Sequence, residues 1–190
     1  MWPVEDALND LAAAGAEERG AIFTKREVVD FILDLLGYVP DRALYRHRIL
    51  EPSFGEGDFL LIVVERLLEA WKRQNDRHDE FGSLKDSIRA VELHTASFAA
   101  TRRKVIILLT LEGIAPHTAE QLAEKWLICG DFLLAPLPGG FDHVVGNPPY
   151  IRQELIPDVL IAEYRARYDT IFDRADLYVP FIERSLNLLG

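Results

Sequence analysis

The sequence predicts an α/β fold built on a mostly parallel sheet, and three observations carry that prediction. Short apolar runs of strand length alternate with longer stretches of helical period, which is the pattern of βαβ units. The four predicted strands lead into polar side chains, Glu51, Glu92, Asp131 and Asn147, and open α/β sheets bind ligands at the carboxyl ends of their strands. A glycine-bearing turn joins the first strand to the strong helix after it. At 190 residues the chain is long enough for one sizeable core, and length favours one domain.

Residues Glu5 to Ala16 read as a helix with Leu8, Leu11 and Ala12 on one face, broken at Gly20, so residues 1–20 are set apart as an N-terminal helical extension and 21–190 as the main domain. Phe23-Thr24 precedes a second amphipathic helix. Thr24 is a good N-cap, and Glu27 three residues on completes a capping box. Val28, Val29, Ile32, Leu33, Leu35 and Leu36 supply the apolar face, and Gly37 ends it. Tyr38 to His47 is a polar connection. Arg48-Ile49-Leu50 forms the first strand, Glu51 to Phe59 the turn, and Leu60 to Arg73 a helix rich in leucine and valine. Gly55 and Gly57 let the backbone pass close to a ligand.

Gln74 to Ser87 reads as a charged loop, and Ile88 to Val91 as the second strand. A helix from Ala96 to Gly113 follows, with Phe98, Val105, Ile106, Leu108 and Leu109 inward, then a short helix over Thr118 to Lys125. Trp126 to Cys129 is the third strand. After the proline- and glycine-bearing loop from Ala135 to Phe141, His143 to Gly146 is the fourth. Ile151 to Asp169 is mixed, interrupted at Pro157 and helical over Glu163 to Arg167. Asp176 to Leu189 is a helix with Val179, Phe181, Ile182, Leu186 and Leu189 apolar and Pro180 in its first turn.

Composition narrows the function classes. A net charge of −10 argues against a polyanion-binding surface spread over this segment. The single cysteine, Cys129, excludes an internal disulfide and a cysteine-based metal site and fits a reducing compartment. No apolar run is long enough to span a membrane, and the start of the chain carries no signal pattern, so a cytoplasmic location is expected. The five histidines lack metal-ligand spacing, so no metal is expected. Trp71 and Trp126 read as packing residues, and Arg102, Arg103 and Lys104 as a solvated helix face.

Asn147-Pro148-Pro149-Tyr150 stops the fourth strand, because neither proline offers an N–H. Read locally it is a rigid turn. Beside the other strand ends it places an amide and an aromatic ring on a ligand cleft. Glu92, ending the strand after the glycine turn, is suited to ribose hydroxyls. The turn lacks the third glycine of the dinucleotide fingerprint. With Glu51, Glu56 and Asp58 it is hostile to a pyrophosphate and suited to a nucleoside carrying positive charge, as S-adenosylmethionine does.

The run from Glu51 to Phe59, followed by Asn147 to Tyr150 and preceded by Phe23-Thr24, resembles the methyltransferases that modify N6 of adenine in DNA. These include type I modification subunits, fused restriction-modification enzymes and phage-defence methylases. The resemblance runs from Ala21 to about Leu189. It implies the doubly wound class I fold with helices on both faces, S-adenosylmethionine as cofactor, DNA as substrate, and a specificity or restriction subunit as a partner. It implies that Phe23 and Thr24 contact the methionine end of the cofactor, that Pro52, Ser53, Gly55 and Gly57 line its approach, and that Glu51 lies near its amino group. Glu92 would hold the ribose, Leu93 and Phe132 would pack on the adenine, and Asp131 would accept from its amino group. Asn147 and the Pro148 carbonyl would accept from the target N6, Pro149 would stiffen the unit, and Tyr150 would stack on a flipped base.

Lys25 stands where the family often has proline. The family fold continues past the last helix with further strands and a target-recognition region, so the chain is expected to be a C-terminally incomplete catalytic domain that binds DNA poorly alone. Similar tetrapeptides occur in enzymes that methylate RNA bases or the glutamine amide of release factors. Those readings remain open, as does a silent cofactor-binding module.

Overall fold

The structure, a computed structural model, describes residues 3–13, 23–73, 79–171 and 176–190. The expected helix end at Ala14 to Ala16, the break and boundary at Gly20, and the loop from Gln74 to His78 lie outside the described residues.

Strands β1 (Ile49–Glu51), β2 (Ile88–Glu92), β3 (Leu127–Cys129) and β4 (His143–Val144) form one sheet in the order β3-β2-β1-β4. All three pairings are parallel, with Ile49 opposite both Ile88 and His143, and Glu92 opposite Cys129. Parallel pairing brings every strand out at the same edge, so Glu51, Glu92 and the residues after Cys129 and Val144 share one side of the molecule.

The helices are α1 (Pro3–Ala13), α2 (Arg26–Leu35), α3 (Leu60–Lys72), α4 (Glu80–Leu84), α5 (Thr95–Leu111), α6 (Pro116–Trp126), α7 (Asp158–Arg165) and α8 (Tyr178–Leu188). Side chains alternate across a strand, and they divide the core in two. Ile49, Ile88, Ala90 and Leu127 pack with α2 to α6 on one face. Leu50 and Val91 pack with α1, α7 and α8 on the other. Strands buried on both faces read as continuous apolar runs, which is why these were legible in the sequence. The expected doubly wound architecture is present.

Several boundaries and faces differ from expectation. Trp126 ends α6 and does not begin β3; it is fully buried, with Nε1 donating to the Leu84 carbonyl at 3.0 Å. The stretch read as a charged loop contains α4, capped by Asp79 accepting from Gly82 N at 2.8 Å. Five residues are too few to show a helical period. Pro157 starts α7 and does not interrupt it, since a proline lacks only an N–H that the helix start leaves unpaired. The polar connection holds a 3₁₀ turn at Leu44–Arg46 and buries Tyr38 and Leu44. β4 is two residues long and lies at the sheet edge. Val28 and Leu35 on α2, and Ile182 and Leu186 on α8, are exposed although their spacing predicted burial. Their helices flank the β4 edge, where a groove is lined by Ile32, Val144, Ile182 and Leu186.

Trp126 fixes α6 to α4 through both volume and its indole N–H. Trp126→Phe is expected to lower the unfolding free energy by about 2–4 kcal/mol. Urea denaturation measures this, and a loss within about 0.5 kcal/mol, ordinary for a surface site, would refute it.

Candidate functional site

The strand order reverses direction between β1 and β4, and a cleft opens there above the carboxyl edge of the sheet, as such switch points require. It is open to solvent and lined by both polar and apolar side chains, as ligand sites are. Its walls bring together Phe23, Thr24, Glu51, Pro52, Ser53, Gly55, Glu92, Leu93, Asp131, Phe132, Asn147 and Pro149.

Three of the predicted residues lie elsewhere. Pro148 lines the neighbouring groove at the β4 edge. Tyr150 is half exposed, its ring 5.8 Å from that of Tyr178 and tilted by 39°. Gly57 turns away from the cleft: its φ is +94°, and a Cβ there would approach Thr101 Cγ2 to 2.9 Å. Glycine at 57 is demanded by the close approach of α5 and by a left-handed backbone.

The glycine turn is tied down from three directions. Phe54 N donates to the Val91 carbonyl at 3.1 Å, joining the turn to β2. From α5, Thr101 Oγ1 donates to the Gly55 carbonyl at 2.9 Å, Lys104 Nζ to the Glu56 carbonyl at 2.8 Å, and Ser97 Oγ to Glu56 Oε1 at 3.0 Å. Lys104 therefore supports the turn and does not sit idle on a solvated face. Glu92 completes the set: Oε2 accepts from Gly55 N and Oε1 from His94 N, both at 2.7 Å.

Thr24 is not the N-cap. Lys25 holds that position with an extended backbone and no side-chain cap. The Thr24 N–H donates instead to Asp58 Oδ2 at 2.6 Å, and its hydroxyl accepts from Asn147 Nδ2 at 3.5 Å. The capping-box signature is local, whereas the competing carboxylate of Asp58 comes from the distant glycine turn. The result carries Phe23 and Thr24 into the cleft, opposite Asn147.

The site is acidic, and the carboxyl groups of Glu51, Glu92 and Asp131 are buried. Glu51 is 3% exposed, and its Oε2 finds no hydrogen-bond partner among the described residues. Burial, reinforced by the negative charges of Glu92 and Asp58, pushes its carboxyl well above the ordinary range. Burial also raises Asp131, opposed by hydrogen bonds from Tyr164 and the Leu133 N–H. An unpartnered buried acceptor among like charges is a cradle for a cationic donor.

Leu11, His94, Ile151, Tyr164, Leu177 and Phe181 also line the cleft and were not predicted. Leu11 comes from α1, whose Ala12 carbonyl lies 2.7 Å from His94 Nδ1. Tyr164, Leu177 and Phe181 come from the face covered by α7 and α8, and no local motif marks them. Among the described residues no three His, Cys, Asp or Glu side chains are grouped to hold a metal, and no helix is long and apolar enough to cross a membrane.

Residues 65–190 match the family described as Eco57I restriction-modification methylase. The whole chain is 58% identical to the type II methyltransferase M.PaeR7I of Pseudomonas aeruginosa, covering 33% of that protein. Over 92% of its length it is 52% identical to the type II methyltransferase M.XhoI of Xanthomonas vasicola, covering 32% of it. Over 96% of its length it is 23% identical to the adenine-specific methyltransferase PglX of Streptomyces coelicolor, covering 19% of it. The chain thus spans about a third of the length of the two type II methyltransferases.

The folded chain keeps the Glu51 proton at pH values where the unfolded chain has lost it, so this group lowers stability as pH rises above the ordinary value of 4.5. Glu51→Gln removes the titration. Its melting temperature is expected to gain on wild type by a margin that widens from pH 4.5 towards neutrality. Parallel melting curves across that range would show that Glu51 does not titrate abnormally.

Proposed function

This chain belongs to the Eco57I restriction-modification methylase family, and on that premise we propose that it forms the cofactor-binding and catalytic part of an S-adenosylmethionine-dependent enzyme that methylates N6 of adenine in DNA. The observation that carries the reading is the buried Glu51 carboxyl, whose Oε2 has no hydrogen-bond partner among the described residues, in an acidic cleft whose rim bears Asn147. The residues fit a nucleoside with a cationic tail and do not fit a polyphosphate.

When bound, S-adenosylmethionine supplies an electrophilic methyl group on a sulfonium. Glu51 would accept from its ammonium group, with Phe23 and Thr24 against the methionine end. Pro52, Ser53 and Gly55 would pass close by on the glycine turn. Glu92 would hold the ribose hydroxyls with the lone pairs left after its bonds to Gly55 and His94. Leu93 and Phe132 would flank the adenine, and Asp131 would accept from its amino group. Residues 21–190 would form this domain, with α1 adding Leu11 to its wall.

The target half lies at the rim. An exocyclic adenine amino group is a weak nucleophile because its lone pair is delocalised into the ring. Asn147 and the Pro148 carbonyl would accept its two N–H bonds and favour a more tetrahedral nitrogen. A strong base is not needed, and the rate would come from positioning and electrostatics. Tyr150, half exposed beside the rim, is free to stack on a base turned out of the duplex. The net charge of −10 leaves most phosphate contacts to surface outside this chain.

The reading is tested with labelled cofactor offered to the full-length protein with DNA, RNA and a release factor; label should enter DNA alone. Asn147→Ala is expected to lower kcat at least about 100-fold while cofactor affinity stays within about threefold, the usual reach of context effects. Glu92→Gln should weaken cofactor binding instead. Wild-type behaviour of both variants would remove the assignment.

A further inference from the structure

The cleft has a wall that no motif accounts for. Tyr164, on α7, is 1% exposed and lines the cleft beside Asp131. Its hydroxyl donates to Asp131 Oδ2, while Leu133 N donates to Oδ1 at 2.6 Å. The loop that carries Asp131 is clasped around this contact. The Tyr168 hydroxyl donates to the Leu133 carbonyl, and Arg184 of α8 donates to the Ala135 carbonyl and lies 5.0 Å over the Phe132 ring.

We propose that Tyr164 is a positioning residue for nucleobase recognition: by holding the Asp131 carboxylate as a fixed acceptor, it makes the cleft select a purine with a 6-amino group over one with a 6-oxo group. The inference rests on the reading of the cleft as a site for S-adenosylmethionine.

The chemistry follows from donor and acceptor inventories. An ionised carboxylate only accepts, so it matches a 6-amino N–H and sets lone pair against lone pair at a 6-oxo group. A protonated carboxyl also donates and would bond a 6-oxo group, erasing the distinction. Burial drives Asp131 towards the protonated form, and the Tyr164 hydroxyl opposes it. A phenol O–H donates more strongly to an ionised carboxylate than to a protonated carboxyl, so the bond favours the acceptor-only form and fixes the direction of Oδ2.

Calorimetric titration of the full-length protein with S-adenosylhomocysteine and S-inosylhomocysteine, across pH, tests this. Wild type is expected to prefer the adenosyl compound by about 100-fold, the upper reach of one hydrogen bond to a charged group. Tyr164→Phe should reduce that preference to about tenfold or less, by the value of one hydrogen bond to a charged group. It should also move the acid-side loss of binding to higher pH. A purely structural tyrosine would weaken both ligands equally and leave the pH profile in place, which would overturn the proposal. If the single variant does not fold, the pair Asp131→Asn and Asp131→Asn/Tyr164→Phe removes the carboxyl that the lost hydroxyl would leave short of a donor. Equal, low preference in both is expected if Tyr164 acts through Asp131, and a further change on removing the hydroxyl would overturn the proposal. A wild-type protein that binds neither compound would refute the cofactor reading itself, and the inference with it.

Discussion

The carboxylate of Glu92 joins parts of the cleft that the sheet alone would leave separate. With one oxygen on Gly55 N and the other on His94 N, it fixes the turn after β1 to the end of β2. Once fixed, the turn offers its carbonyls to Thr101 and Lys104 and its Asp58 side chain to Thr24. Thr24 in turn meets Asn147 beyond β4. Bonds from backbone N–H groups to a charged acceptor are roughly twice as strong as neutral ones, and a buried carboxylate cannot forgo them cheaply. The group proposed to hold the ribose therefore also builds the turn that receives it.

The same clustering sets charge against stability. Glu51 and Glu92 end neighbouring strands, Asp58 sits in the turn between them, and Asp131 closes the far side; Glu51, Glu92 and Asp131 are buried. In a medium of low effective dielectric, like charges at such range oppose folding. A ligand bearing an ammonium and a sulfonium would reverse the sign of that interaction and stabilise the native chain by mass action. A polyphosphate would compound it. The acidity that makes the cleft costly would thus also sort its ligands.

The sheet and the line of strand ends were legible because they depend on short-range patterns: apolar runs, glycines, and prolines that end a strand. What escaped depends on partners distant in sequence. Thr24 carries a sound capping signature, yet Asp58, 34 residues on, takes its N–H. Lys104 looks like a solvated cation until the Glu56 carbonyl is placed beside it. Tyr164 belongs to a stretch whose period was broken by Pro157, and nothing local marks it as a neighbour of Asp131. Exposed Val28, Leu35, Ile182 and Leu186 fulfil the amphipathic pattern on helices that flank the short β4 edge, where none of the described residues covers them. The resemblance assigned roles to half of the cleft-lining residues, but it could not distinguish Gly57, which serves packing against α5, from Gly55.

The two prolines after Asn147 act before the chain folds. Proline holds its own φ near one value, and it confines the residue before it to extended conformations. Asn147 and Pro148 each precede a proline, so both are already narrowed in the unfolded ensemble. Ordering one ordinary residue costs about 1–2 kcal/mol of backbone entropy, and here part of that loss is built into the covalent chain. Part of the ordering of the segment that carries the amide is therefore set before folding, by conformations the unfolded chain rarely visits.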